Sequence, residues 1–134
     1  HRYEFPEATD YHDANWLLVT AEVNVPGQSW VRASGPFLMT SDFAGFQNSL
    51  QMLDLLIEGE ASLSPIEPVL SCVLRGNHLG QVEGEIELSP DSLNRHHFKF
   101  QLDQSCLNMM IVGIGPILER FPVRAVSEGG EETT

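Results

Sequence analysis

Glu83, Glu85 and Glu87 alternate along one short segment and form the most regular set of reactive side chains in the sequence. In an extended strand such positions share one face and lie about 7 Å apart, a spacing compatible with paired-carboxylate glycoside chemistry. That chemistry also requires dry surroundings to keep one carboxyl protonated. The interleaved Val82, Ile86 and Leu88 place the apolar side of the strand opposite, so the three glutamates read as a solvated acidic face. Asp10, His12 and Asp13 are three potential metal ligands within four residues, but they read better as a polar, capped loop leading into the strand at Trp16. His96 and His97 fall on opposite faces of a strand and cannot hold one ion together. His78 sits in a turn without a ligand-spaced neighbour.

Nucleophilic chemistry finds no support. Gly-x-Ser-x-Gly and Ser-x-x-Lys are absent, and no cysteine has a credible histidine partner. Cys72 and Cys106 lie in apolar periodic segments, as buried and unreactive thiols do. The single lysine, Lys99, falls on an exposed strand face. Gly113 and Gly115 sit inside a helical pattern rather than between a strand and a helix, so they form no dinucleotide fingerprint. No catalytic residue, metal or cofactor is therefore expected.

The elements that would position these groups follow from periodicity. Leu17, Val19, Ala21, Val23 and Val25 alternate with Thr20, Glu22 and Asn24, which predicts a strand over residues 16–25. Pro26-Gly27 supplies a type II turn, and residues 30–33 return, with a possible continuation over 37–39. Thr40, Ser41 and Asp42 form a helix start. Phe43, Phe46, Leu50, Leu53 and Ile57 then make an amphipathic stripe, and Gly59 is the expected C-cap. Strands are predicted over 66–75 and 79–88 around Gly76-Asn77, and another over 96–102 after a loop at 89–95. Asp103 caps a last helix with Leu107, Met110, Ile111, Ile114, Leu118 and Phe121 on its stripe. Pro116 should kink that helix, and Pro122 should end it. The expected fold is α+β: an antiparallel sheet with two amphipathic helices packed on one face.

Length and charge restrict the function classes. A chain of 134 residues suits one core, and residues 1–126 are expected to form a single domain. Residues 127–134 carry Glu128, Glu131 and Glu132 with no apolar residue, and they read as a disordered acidic tail. Nineteen acidic against seven basic residues give a net charge of −12. This excludes nucleic acid as a natural partner, since phosphates require clustered Lys and Arg, and it disfavours anionic membranes. No secretory segment or membrane span is visible, so a cytoplasmic setting is expected. The acidity either keeps the protein soluble or addresses a basic protein partner. In the second case the candidate contact residues are Glu83, Glu85, Glu87, Asp10, Asp13 and Glu22.

Short motifs in a fixed order resemble the WapI family of bacterial immunity proteins. They are Tyr3-Glu-Phe-Pro-Glu7, Asp13-Ala-Asn-Trp-Leu-Leu-Val19, Pro26-Gly-Gln-Ser-Trp30, the Leu/Phe helix after Thr40, Ile66-Glu-Pro68 and Arg120-Phe-Pro-Val-Arg124. The resemblance implies a non-enzymatic protein that binds and blocks a cognate toxin domain, often a nuclease, inside the cell that makes it. The residues themselves leave a second class open. This is a small-ligand sensor or accessory binding module with a pocket between sheet and helices, lined by Trp16 and Trp30 on adjacent strands.

Overall fold

The β-branched alternation of residues 16–25 produces the strand it predicts. The computed structural model describes residues 1–7, 9, 11–77 and 79–124; Asp10, His78 and the expected tail lie outside the described residues. A two-residue strand, β1 (Arg2–Tyr3), and a short helix, α1 (Tyr11–Asn15), precede β2 (Trp16–Val25) and β3 (Ser29–Met39). The type II turn is present: the Gln28 N–H donates to the Val25 carbonyl at 2.9 Å, and Gly27 takes φ 74°. β2 pairs antiparallel with β3, and the register shifts between Leu17 and Val19, where β3 carries an extra residue beside Gly35 and Pro36. Trp16 and Trp30 are not neighbours. Trp16 faces Met39 at one end of the hairpin and Trp30 faces Asn24 at the other.

Helix α2 (Thr40–Leu56) starts where the sequence places it, but through different atoms. The Asp42 carboxylate accepts from the Met39 N–H at 2.7 Å, while the buried Thr40 hydroxyl donates to the Asn15 carbonyl rather than capping. At the other end Ile57, not Gly59, is the C-cap. It adopts φ 66°, an unusual left-handed conformation for a β-branched residue, and its N–H donates to the Leu53 carbonyl. Phe46, Leu50 and Leu53 are buried and Phe43 is half-buried, whereas the cap geometry turns Ile57 to solvent.

A strand that the sequence does not announce follows at once: β4 (Glu58–Leu63). Its Glu-Gly-Glu opening lacks the β-branched signature, and its buried Ala61 and Leu63 are too few to show a period. β5 (Leu70–Asn77), β6 (Gln81–Asp91) and β7 (Asn94–Asp103) complete the strands, and helix α3 (Ser105–Arg120) continues through Pro116 to end two residues before Pro122. The expected loop at 89–95 is mostly strand. The Asp91 carboxylate accepts the N–H groups of Leu93 and Asn94, closing the β6–β7 hairpin in two residues.

The class is α+β with antiparallel pairing throughout, but the strands divide between two sheets rather than one: β1-β2-β3 and β4-β5-β6-β7. Both sheets share one core with the helices. β3 comes alongside β6, and α2 lies against β4 and α3. The helices run antiparallel: the Gln47 side chain donates to the Ile111 carbonyl, and Gln104 donates to the Asp54 carbonyl. Leu107 and Ile114 of α3 are buried, while Ile111 and Leu118 are only half so. Two glycines permit the close packing. A Cβ at Gly84 would lie 2.4 Å from the Phe100 ring, and one at Gly76 would lie 2.8 Å from the Ile57 carbonyl oxygen.

Candidate functional site

Alternation on β6 turns Val82, Gly84, Ile86 and Leu88 toward the core and Glu83, Glu85 and Glu87 outward, as the pattern requires. The neighbouring strands decide how acidic that outward face is. Across the ladder Glu60 faces Arg75, Arg75 faces Glu83, Glu85 faces Lys99 and Glu87 faces His97. Glu85 is the hub. It accepts from Arg75 at 2.9 Å and stands 2.8 Å from His97 Nε2, while Arg75 also donates to Glu60 at 3.1 Å. The Arg75 hydrogen bond, seconded by His97, holds the Glu85 carboxyl below the usual carboxylate range. Arg95 lies 4.0 Å from Glu87. The face is thus a chain of alternating charges across four strands. Surface pairs of this kind contribute little stability in water, and they leave less uncompensated negative charge than the β6 sequence alone suggests.

Glu22 stands on the outward side of β2, in the other sheet, where its carboxylate accepts from the Trp30 indole N–H at 3.1 Å. Asp13 is exposed in α1, and Asp10 lies outside the described residues. The six candidate residues therefore do not assemble into one patch. Glu83, Glu85 and Glu87 share a face, while Glu22 belongs to a second sheet and Asp13 to the short helix.

The most heavily bonded cluster is one that chemistry-seeking motifs miss. Arg124 stacks its guanidinium over the Tyr3 ring, 3.7 Å from the centroid, and donates to the carbonyls of Ala14, Pro6 and Phe5. Its main chain is held in both directions by the fully buried Asn15. The Asn15 Oδ1 accepts from the Arg124 N–H at 2.7 Å, and the Asn15 Nδ2 donates to the Arg124 carbonyl at 2.8 Å. Tyr3 donates to the Pro122 carbonyl at 2.6 Å and meets Phe121 edge-on. Three of the short motifs, around Tyr3, Asn15 and Arg124, are thus parts of a single clasp that ties the first residues to the end of α3. They are structural signatures, and their order in the sequence reflects one packing unit. A family model, the immunity protein WapI-like family, matches residues 1–122.

The chain belongs to the WapI-like immunity protein family. No curated protein and no solved structure matches it. In this WapI-like chain the remaining reactive groups are quiet. Cys72 is buried and free, and burial pushes its thiol up to about 11, so it stays protonated at neutral pH. Cys106 is also free. Among the described residues no three His, Cys, Asp or Glu gather as metal ligands, and no helix is long and apolar enough to cross a membrane. A cleft of about 380 Å³ opens between β2 and the helices, lined by Leu17, Val19, Ala21, Phe43, Ile117 and Phe121 among others. Neither tryptophan lines it. Its polar lining is limited to His1 and Thr20, without the converging polar groups that fix a small ligand.

Proposed function

We propose that this WapI-like protein binds a toxin domain in the cytoplasm of the producing cell and neutralises it by occupation, without chemistry of its own. The match over residues 1–122 carries the reading. The net charge of −12 supports a basic partner. A nuclease must present Lys and Arg to nucleic-acid phosphates, and an acidic protein seated on that surface competes directly with the substrate. Glu83, Glu85, Glu87, Glu22 and Asp13 are the exposed or half-exposed carboxylates that would meet such a partner, with Asp10 close to Asp13 in sequence. Co-expression tests the proposal: cells producing the basic toxin fragment recovered with this protein from its native host should survive only with the protein present, and the two purified proteins should form a stable complex. Survival without the protein, or protection without a complex, would overturn it.

A further inference from the structure

The outer faces of the two long helices carry almost no charge. α2 holds only Asp42 and Asp54, and α3 holds none before Glu119 and Arg120 in its last turn. A surface helix ordinarily turns charged side chains to water, and a chain with nineteen acidic residues has carboxylates to place there. These helices instead present Met52, Leu55, Met109 and Val112, which are 54%, 74%, 72% and 64% exposed. The four form one patch. Gln47 donates to the Ile111 carbonyl and Gln104 to the Asp54 carbonyl, and both bonds set the same antiparallel register, with Val112 about level with Phe46 and Leu55 with Asp103. At about 1.5 Å of rise per residue, the four side chains fall within about 14 Å along the helix axes.

Two glycines on the same stripes add a second observation. Gly45 stands two turns before Met52 and Gly113 one turn after Met109, and both are exposed. A Cβ at either would meet nothing within 4 Å. Glycine inside a helix weakens it, and no close packing within the protein offsets that loss. What a bare Cα permits is close approach from outside.

Carboxylates ring the patch: Asp54 and Glu58 at the end of α2, Asp103 before α3 and Glu119 in its last turn. Arg120, the one cation on either helix, lies over the Phe121 ring. An apolar centre without charges inside a charged rim is the anatomy of a protein interface, and methionines let such a centre adapt to its partner. The sign of the rim selects the occupant. A second copy would bring carboxylates against carboxylates, whereas lysines and arginines around an apolar anchor would meet opposite charge.

We infer that the outer face of α2 and α3 is the docking surface for the basic toxin domain. Leu55 and Met109 are its apolar centre, Gly45 and Gly113 its points of close approach, and the carboxylate rim faces the partner's Lys and Arg. The inference rests on the immunity reading for the partner's identity, while the patch and its rim stand independently of it.

Methionine-methyl NMR on the full chain reads this face directly, because Met52 and Met109 lie on it while Met39 is buried in the core. Two basic probes serve: the toxin fragment recovered with this protein from its native host, and an acetylated and amidated helical peptide of leucine and lysine. A leucine–glutamate peptide is the control. Either basic probe should shift the Met52 and Met109 signals and leave Met39 in place, and the control should shift none. Leu55→Ser combined with Met109→Ser should accelerate dissociation of the toxin fragment by about a hundredfold. The urea midpoint should stay unchanged, since both side chains are exposed. Gly113→Gln should raise the urea midpoint and yet accelerate dissociation by about tenfold or more, whereas a glycine with no part in docking would give the first effect alone. A toxin complex that leaves Met52 and Met109 unshifted overturns the inference. So does self-association that grows with concentration and is abolished by the double serine variant, since the occupant is then a second copy. If the wild type binds no toxin fragment, the immunity reading falls and the peptides alone decide the face: a leucine–lysine peptide that binds elsewhere, or no better than its glutamate counterpart, overturns it.

Discussion

Arg124 and Asn15 show how a few side chains close a small domain. Asn15 is fully buried, and its amide is matched group for group by the Arg124 main chain, so removing it leaves a donor and an acceptor unpaired. Asn15→Ala should therefore cost about 1–3 kcal/mol, read as a lower urea midpoint. Arg124→Lys should also destabilise, because an ammonium cannot reach several carbonyls and stack on Tyr3 at once. Asp42 poses a different problem. Burial raises its carboxyl above the ordinary value, and the Met39 N–H opposes that shift without cancelling it. A raised folded-state value means that its stabilising contribution is fully present below the unfolded value and is lost as pH rises through the folded one. Asp42→Ala should cost about 0.5–2 kcal/mol through loss of the cap. Asp42→Asn should cost less, and wild type should gain on it as pH falls through the carboxylate range. Paired urea titrations at neutral and acid pH check both.

At the scale of elements, Gly84 marks where β6 must admit its neighbour. The Phe100 ring covers the glycine, and a methyl there would overlap ring carbons at 2.4 Å and Leu74 at 2.8 Å. Gly84→Ala should lose about 1–3 kcal/mol, measured by thermal or urea unfolding, because the added methyl must displace the half-buried Phe100 ring and the buried Leu74 side chain. The same elements show what the sequence could reveal. Strands β2, β6 and β7 and both long helices were legible because each buries one face and so keeps a strict period. β4 was not legible, since Glu58, Gly59 and Glu60 owe their strand conformation to pairing with Asn77, Gly76 and Arg75 rather than to any local preference. The split into two sheets was hidden for the same reason, because hairpin signals show which strands adjoin and not where a sheet stops. For the candidate site, alternation placed Glu83, Glu85 and Glu87 on one face. The cations beside them come from other strands, so their neutralising effect depends on register that no local pattern contains.

On the scale of the whole molecule, charge should govern the rate of encounter. The net charge of −12 attracts a basic partner from beyond contact, an effect screened over about 8 Å at physiological salt. Replacing Glu83, Glu85 and Glu87 by glutamine removes three negative charges and leaves Arg75 without its ion pair to Glu85, so the outward face of the second sheet loses most of its attraction for a basic partner. The association rate with the toxin domain should fall by about tenfold and its dependence on salt should flatten. Dissociation should change less, because exposed charges already partly compensated by Arg75, Arg95 and Lys99 act mainly on encounter. Stopped-flow association at low and high salt, with dissociation followed by displacement, separates the two. Should the triple glutamine variant associate as fast as wild type, steering would have to come from carboxylates elsewhere, with Asp13 and Glu22 next to be neutralised. Should it instead dissociate faster, the second sheet is itself in the interface.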